Sequence, residues 1–123
     1  MDLANMLAEA EAKRSGGNYA GAVADYDQVL AFDPECRAAL VGRGHAQSHL
    51  DETERTLADY TKALQLDPCD ARLWAQRGLV HLRRKARRAA IEDNSQAIEL
   101  GLEEPGWYNE RALIREEAGN LDG

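Results

Sequence analysis

Hydrophobic and polar positions recur along the chain at a spacing of 34 residues. Asp33-Pro34 follows a short apolar run, and Asp67-Pro68 follows a similar run at that spacing. Other positions keep the same register, and the sets of equivalent residues are Asp25, Asp59 and Asp93, then Tyr26, Tyr60 and Asn94, then Gly44, Gly78 and Ala112. A repeat of this length predicts stacked supersecondary units.

Each repeat predicts two helices. Pro34 and Pro68 cannot donate a backbone hydrogen bond, and they bias the preceding residue away from helical angles, so each proline separates one helix pair from the next. The composition agrees, because 21 Ala and 15 Leu stand against ten Val, Ile and Thr together. The predicted helices cover 3–15, 19–32, 37–49, 53–66, 71–83, 87–100 and 105–118.

Small residues on one helix are expected to lie beside large residues on the other helix of a pair. Gly44 and Gly78 allow close approach, and the rings of Tyr26 and Tyr60 fill the space beside such positions. In the third copy Asn94 stands in the tyrosine position.

These positions resemble the tetratricopeptide repeat family, whose unit has 34 residues. The residues that carry the resemblance are Gly17, Asn18, Tyr19, Ala22, Tyr26 and Pro34, then Gly44, Tyr60, Ala63 and Pro68, then Trp74, Gly78, Ala90 and Ala97. The resemblance implies an all-α, right-handed α-solenoid of stacked helix-turn-helix repeats. It implies one domain over 1–123, with three copies at 3–36, 37–70 and 71–104 and the first helix of a fourth within 105–123. It also implies that His81 faces Asn94 on the partner helix, and we expect the two to form a buried hydrogen bond.

Length and charge exclude several classes of function. A chain of 123 residues has room for one modest core, and a net charge of -7 has the wrong sign for a domain that binds nucleic acid with its whole surface. Gly16-Gly17 lacks the features of a phosphate loop, and His45 and His49 lack a third metal ligand. We expect no catalytic group, metal or cofactor, and therefore no enzyme.

The resemblance implies a concave groove that is lined by the first helix of each copy and binds a peptide or helix of a partner protein. The helical period predicts which side chains line it. They are Leu7, Glu11, Arg14, Val41, His45, His49, Arg72, Ala75, Gln76, Leu79, Leu82, Arg83, Asn109, Leu113, Glu116 and Glu117. We expect Arg72 and Arg83, on either side of Leu79, to hold a carboxylate.

One subclass of the family binds the C-terminal carboxylates of chaperone tails through Lys, Asn and Arg at fixed positions of three successive copies. Here those places hold Leu7, Glu11, Gly42, Arg72 and Gln76. Only Arg72 keeps the required charge, and Glu11 would repel the tail. Binding of chaperone tails is therefore disfavoured.

A basic cluster follows the fifth predicted helix. The segment 72–88 contains seven of the fifteen basic residues and no acidic one, and the cluster itself comprises Arg83, Arg84, Lys85, Arg87 and Arg88. One interpretation is a solvated turn whose charge is offset by neighbouring acids such as Glu92. The alternative is a docking site for RNA or another anionic surface, although the net charge makes nucleic acid the less favoured partner.

The fourth copy stops after its first helix, which carries apolar residues such as Trp107 and Leu113 on more than one side. This predicts either a segment of a longer protein or self-association through 105–118. The first residues show no basic region followed by an apolar run, as a secretory signal would, and no apolar run approaches the length of a membrane span. These two features predict a cytoplasmic protein.

Overall fold

The structure, a computed structural model, describes residues 2–103. These residues form six α-helices and no strand: α1 (Leu3–Ser15), α2 (Tyr19–Phe32), α3 (Arg37–His49), α4 (Thr53–Leu66), α5 (Ala71–Arg83) and α6 (Arg87–Glu99). The six helices predicted within this range are confirmed, and only the end of α6 differs, by one residue. The helix predicted at 105–118, with Asn109 and Leu113, lies outside the described residues. None of the described helices is long and apolar enough to cross a membrane.

Polar side chains cap the starts of three helices. The carboxylate of Asp2 accepts a hydrogen bond from the backbone N–H of Asn5 at the start of α1, at 2.8 Å. Asn18 caps α2 in the same way, and Asp70 caps α5. Each of these bonds satisfies a backbone donor that has no partner within the first helical turn.

The chain divides into two compact units, Met1–Asp67 and Pro68–Gly123. In the first unit, α1 packs on α2 and α3 packs on α4 as two helical hairpins, and α3 contacts both α2 and α1. In the second unit, α5 packs on α6. A single domain over 1–123 stays a prediction.

Glycines of α3 contact tyrosine rings in the first unit. A Cβ at Gly44 would lie 2.6 Å from Cε1 of Tyr60, which confirms the predicted pairing of a small and a large residue. A Cβ at Gly42 would overlap the ring of Tyr26, a contact that the sequence analysis missed. Tyr26 is fully buried, so α2 and α3 approach closely only because Gly42 has no side chain.

The second unit contains a correction to the sequence analysis. Asn94 is fully buried as expected, but neither its Oδ1 nor its Nδ2 has a hydrogen-bond partner. His81 instead places Nε2 3.5 Å from Oδ2 of Asp93. The predicted hydrogen bond between His81 and Asn94 is therefore wrong, because Nε2 of the imidazole lies beside the carboxylate of Asp93 and both polar atoms of the Asn94 amide lack a partner.

Candidate functional site

The predicted groove positions that the structure describes belong to both units, and the face in each unit is described by itself. The α1–α3 face comprises Leu7, Glu11, Arg14, Val41 and His45, which are partly buried, and His49, which is exposed. The α5 face comprises Ala75 and Leu79, which are partly buried, and Arg72, Gln76 and Arg83, which are exposed. Leu82, which the sequence analysis also placed in the groove, instead packs against the buried Ile91 of α6. The other side chains lie outside the fully buried core.

Arg14 connects the two helices of the α1–α3 face. Its guanidinium forms an ion pair with Glu11, one turn earlier on the same helix. Its Nε donates to the hydroxyl of Tyr26 at 3.1 Å, and its Nη1 lies 3.5 Å from Nδ1 of His45. The hydrogen bond to Glu11 raises the pKa of Arg14, and burial raises the pKa of Tyr26 to about 12.

Aromatic rings extend the same face. The ring of Tyr19 stacks on the imidazole of His49, with 4.2 Å between centroids and 3° between planes. The rings of His45 and His49 lie 4.8 Å apart. The sequence analysis found both histidines but missed Tyr19, because its position in the turn motif Gly-Asn-Tyr accounts for it without a role on the face.

The charges on the α1–α3 face are paired internally. Glu11 neutralises Arg14, so an incoming carboxylate would have to displace Glu11 from the guanidinium. Leu7 and Val41 add partly buried apolar surface. No group of three or more His, Cys, Asp or Glu side chains within 2–103 is placed to hold a metal ion. This face suits neutral, apolar or aromatic groups of a ligand.

The α5 face is cationic. The helix contains four basic or imidazole side chains and no acidic residue. Arg72 and Arg83 are eleven residues apart on α5, a separation of about 16 Å at 1.5 Å per residue. Leu79 lies between them on the same side of the helix.

Arg77 of α5 is held by the partner helix of its own hairpin. Its Nε and Nη2 donate to the two carboxylate oxygens of Asp93, both at 2.7 Å, and its guanidinium lies 4.9 Å from the ring centroid of Trp74. Arg43 and Asp59 form the equivalent two-pronged bond, at 2.8 and 2.7 Å. The repeated aspartates showed the register in the sequence, but their pairing with arginines of the first helices was missed.

The basic cluster lies at the turn between α5 and α6. Arg83, Arg84, Lys85 and Arg88 are exposed, and Arg87 is partly buried. Lys85 has a φ of 63°, in the left-handed region. Gly17 and Asp51 occupy the equivalent positions in the first two hairpins, with φ of 88° and 60°. Glycine and aspartate tolerate this conformation better than lysine does.

Comparison with known proteins gave curated relatives, while no family model matches the chain. Hsc70-interacting protein 1 of Drosophila melanogaster is 29% identical over 115 residues, which are 94% of this chain and 29% of that protein. The human protein O-mannosyl-transferase TMTC3 is 27% identical over 97 residues, which are 78% of this chain and 11% of that protein. The chain thus spans less than a third of either relative.

Solved structures share the fold. The TPR domain of Sgt2 from Aspergillus fumigatus matches 98% of this chain and 82% of its own, with a TM-score of 0.79 and 20% identity. The second TPR of Spaghetti (RPAP3), bound to the HSP90 peptide SRMEEVD, matches 81% of this chain and 93% of its own, with a TM-score of 0.76 and 20% identity. The fold class common to these structures is an all-α solenoid of helix-turn-helix repeats.

Proposed function

We propose that this chain, which has the fold of a tetratricopeptide repeat domain, is a protein-interaction adaptor that binds a segment of a partner protein on the exposed sides of its first helices. The observation that carries the proposal is the α1–α3 face. There the side chains of two repeats form one surface through the contacts of Arg14 with Tyr26 and His45 and the stacking of Tyr19 on His49.

The similar proteins support a role in binding protein segments. The second TPR of Spaghetti holds a peptide of HSP90, and the name of the Drosophila relative describes an interaction with Hsc70. Fixed side chains lower the entropy cost of binding, so a surface held by hydrogen bonds and ring stacking favours recognition of a ligand. The proposed role requires no catalytic group, metal or cofactor.

The α1–α3 face favours a ligand other than a C-terminal carboxylate. Arg14 is the cation at the groove positions of α1 and α3, and Glu11 already occupies its guanidinium. A chaperone tail ending in carboxylates would therefore meet a paired cation and a nearby anion. We infer that internal segments of a partner bind better than free C-termini.

Selection from a displayed peptide library tests this function. The full chain is used, and the library contains both internal segments and free C-termini. We expect enrichment of a motif that His49→Ala or the Arg72→Ala plus Arg83→Ala double variant weakens, because these side chains lie on the two faces. Lys62→Ala, at an exposed position of α4, is the matched control and should leave the selection unchanged.

Two outcomes would contradict the proposal. If every enriched peptide requires its free C-terminal carboxylate, the ligand class is wrong. If the folded chain enriches no peptide, the adaptor function through these faces is wrong. Circular dichroism of each variant confirms that the helices are intact.

The basic cluster supports a second candidate function, as an adaptor for RNA or another anionic surface. The supporting observation is a single turn that carries five cations, four of them exposed. Binding of this kind releases counterions, so affinity for a single-stranded RNA should fall steeply with salt and with Arg84→Glu.

Self-association through 105–118 is a further proposal. Measuring the mass of the chain in solution as its concentration rises tests it. The mass should rise with concentration in the parent chain and should fall in the Trp107→Glu variant.

A further inference from the structure

A cavity of about 290 Å³ lies between α2, α3 and α4 in the first unit. Its lining residues on α3, Arg43 and Gln47, are each two residues before His45 and His49. Two residues correspond to about 200° around a helix, so the cavity opens on the side of α3 away from the α1–α3 face. Sites for drug-sized ligands start at about 300 Å³, so this cavity has room for one side chain rather than for a folded segment.

Hydrogen bonds hold the polar side of the cavity in place. Arg43 donates Nε and Nη2 to the carboxylate of Asp59, at 2.8 and 2.7 Å, and Nη1 to Oδ1 of Asp27, at 2.8 Å. When the amide of Gln47 is oriented so that its polar atoms are satisfied, its nitrogen donates to Oδ2 of Asp59 at 3.0 Å. Both oxygens of the buried Asp59 are therefore occupied inside the protein.

Asp27 is the acceptor that a ligand can reach. Its side chain is 55% exposed, and its Oδ2 accepts no hydrogen bond from residues 2–103. Arg43 supplies one positive charge to the two carboxylates of Asp27 and Asp59, so one negative charge stays uncompensated. The other cation of the lining, Arg55, is 73% exposed and pairs with Glu52 at 3.7 Å. The cavity therefore attracts a cation.

The single open oxygen of Asp27 favours an ammonium group. A guanidinium binds best through two parallel hydrogen bonds to two oxygens, and Arg43 already occupies one oxygen of Asp27. An ammonium is a compact charge whose donors rotate, so one oxygen suffices for it. Val23 and Ala58 contribute methyl groups to the lining, and such groups suit the four-carbon stem of a lysine.

We propose that the cavity binds a lysine side chain of a partner protein, with the ammonium on Oδ2 of Asp27 and the stem against Val23 and Ala58. Asp27 and Ala58 are exposed, so the backbone of the partner stays outside while one side chain enters. The proposal does not rest on the adaptor function, because it concerns the opposite side of α3. It gives the first unit a second contact for proteins that present an exposed lysine.

Three peptides test the chemistry of the ligand. One is Gly-Ser-Lys-Ser-Gly with an acetylated N-terminus and an amidated C-terminus, and the other two carry arginine or norleucine in place of the lysine. NMR titration of the isotope-labelled full chain measures each dissociation constant and locates the binding site. The lysine peptide should bind about fivefold more tightly than the norleucine peptide, which keeps the stem without the charge. It should also bind more tightly than the arginine peptide, and the shift changes should centre on Val23, Asp27 and Ala58.

Variants assign the contacts. Asp27→Asn should weaken binding of the lysine peptide by about fivefold, and Ala58→Leu should block the cavity. Glu35→Gln and Ala38→Leu are the matched controls, because they make the same kinds of change at exposed or loop positions that do not line the cavity. Arg55→Gln removes a cation from the lining and should strengthen binding by about twofold.

Several outcomes would overturn the proposal. Equal affinity for the lysine and norleucine peptides, or weaker binding after Arg55→Gln, would show that the ligand is not a cation. Binding that Ala58→Leu leaves unchanged would place the ligand elsewhere, and this variant keeps the bonds between Arg43 and Asp27 intact, so the test holds even if Asp27→Asn does not fold.

The source of the ammonium has its own test. Butylamine supplies the same ammonium and stem without a peptide backbone, and we expect it to bind more weakly than the lysine peptide. If butylamine binds as tightly, the cavity is a site for free amines and the assignment to a protein lysine is wrong. None of these outcomes changes the peptide selection that tests the adaptor function, so the two proposals fail separately.

Discussion

At the scale of single residues, Gly42 controls how closely α2 and α3 approach. A Cβ at this position would overlap the buried ring of Tyr26, so the ring or the backbone would have to move. We expect Gly42→Ala to lower the free energy of unfolding by about 1–3 kcal/mol, as measured by urea denaturation. The better helix propensity of alanine offsets part of the overlap.

The same substitution in a Tyr26→Leu background is the control. Without the large ring, the added Cβ meets no overlap, and the higher helix propensity of alanine should then make Gly42→Ala neutral or stabilising by up to about 1 kcal/mol. An equal loss of stability in both backgrounds would show that the contact with Tyr26 is not the cause.

Asn94 is the second residue whose environment leads to a prediction. Its amide is fully buried, and neither Oδ1 nor Nδ2 has a hydrogen-bond partner. Asn94→Leu, which keeps the branching and the number of side-chain heavy atoms but removes the amide, should raise the free energy of unfolding by about 1–3 kcal/mol. Asn94→Ala also removes the amide but leaves a cavity, so it should raise the free energy of unfolding by less than Asn94→Leu does. Thermal and urea denaturation measure both, and a destabilised Asn94→Leu variant would contradict the interpretation.

At the scale of elements, the turn between α5 and α6 holds a lysine in an unfavourable backbone conformation. Lys85 has a φ of 63°, which costs a residue with a side chain about 1 kcal/mol or more. We expect Lys85→Gly to raise the free energy of unfolding by about 1 kcal/mol. Gly17→Ala, at a φ of 88° in the first hairpin, is the reverse change and should lower it.

A stability that does not change in either variant would mean that the turn relaxes at no cost. If Lys85→Gly raises stability but weakens binding of an anionic ligand, then the basic cluster trades stability for binding. That combination would favour the second candidate function.

At the scale of the whole molecule, stability should fall at alkaline pH. Burial raises the pKa of Tyr26 to about 12, from 10.0 for an unperturbed tyrosine. Between these values the unfolded chain has lost the phenolic proton while the folded chain still binds it, so the free energy of unfolding decreases as pH rises. Below pH 10 this contribution is fully present, and it is lost as pH rises toward 12.

Urea denaturation at a series of pH values from 9 to 11.5 measures this effect. We expect Tyr26→Phe to flatten the decline, whose slope from one such group is at most about 1.4 kcal/mol per pH unit. Tyr19→Phe removes a phenol from the half-buried stack on His49 and serves as the matched control. Identical declines in the parent chain and in Tyr26→Phe would contradict the assignment.

The sequence by itself determined the helices and the side of each helix that remains outside the core. The repeat of 34 residues, the two prolines Pro34 and Pro68 and the helical period all depend on local chain geometry. The bounds of six helices followed from them, and so did the exposed positions of Arg72, Gln76 and Arg83 on α5. The contact between Gly44 and Tyr60 followed as well, because the repeat showed a small residue at one of these positions and a tyrosine at the other.

The tertiary structure alone decided which of these side chains meet. Arg14 bonds to Tyr26, 12 residues later, and approaches His45, 31 residues later, while Asp93 rather than Asn94 faces His81. The helical period predicts the side of a helix on which a residue lies, but it does not specify the rotamer or the competing partners on the facing helix. Those choices depend on charge and on space between helices, and they exist only once the helices have packed.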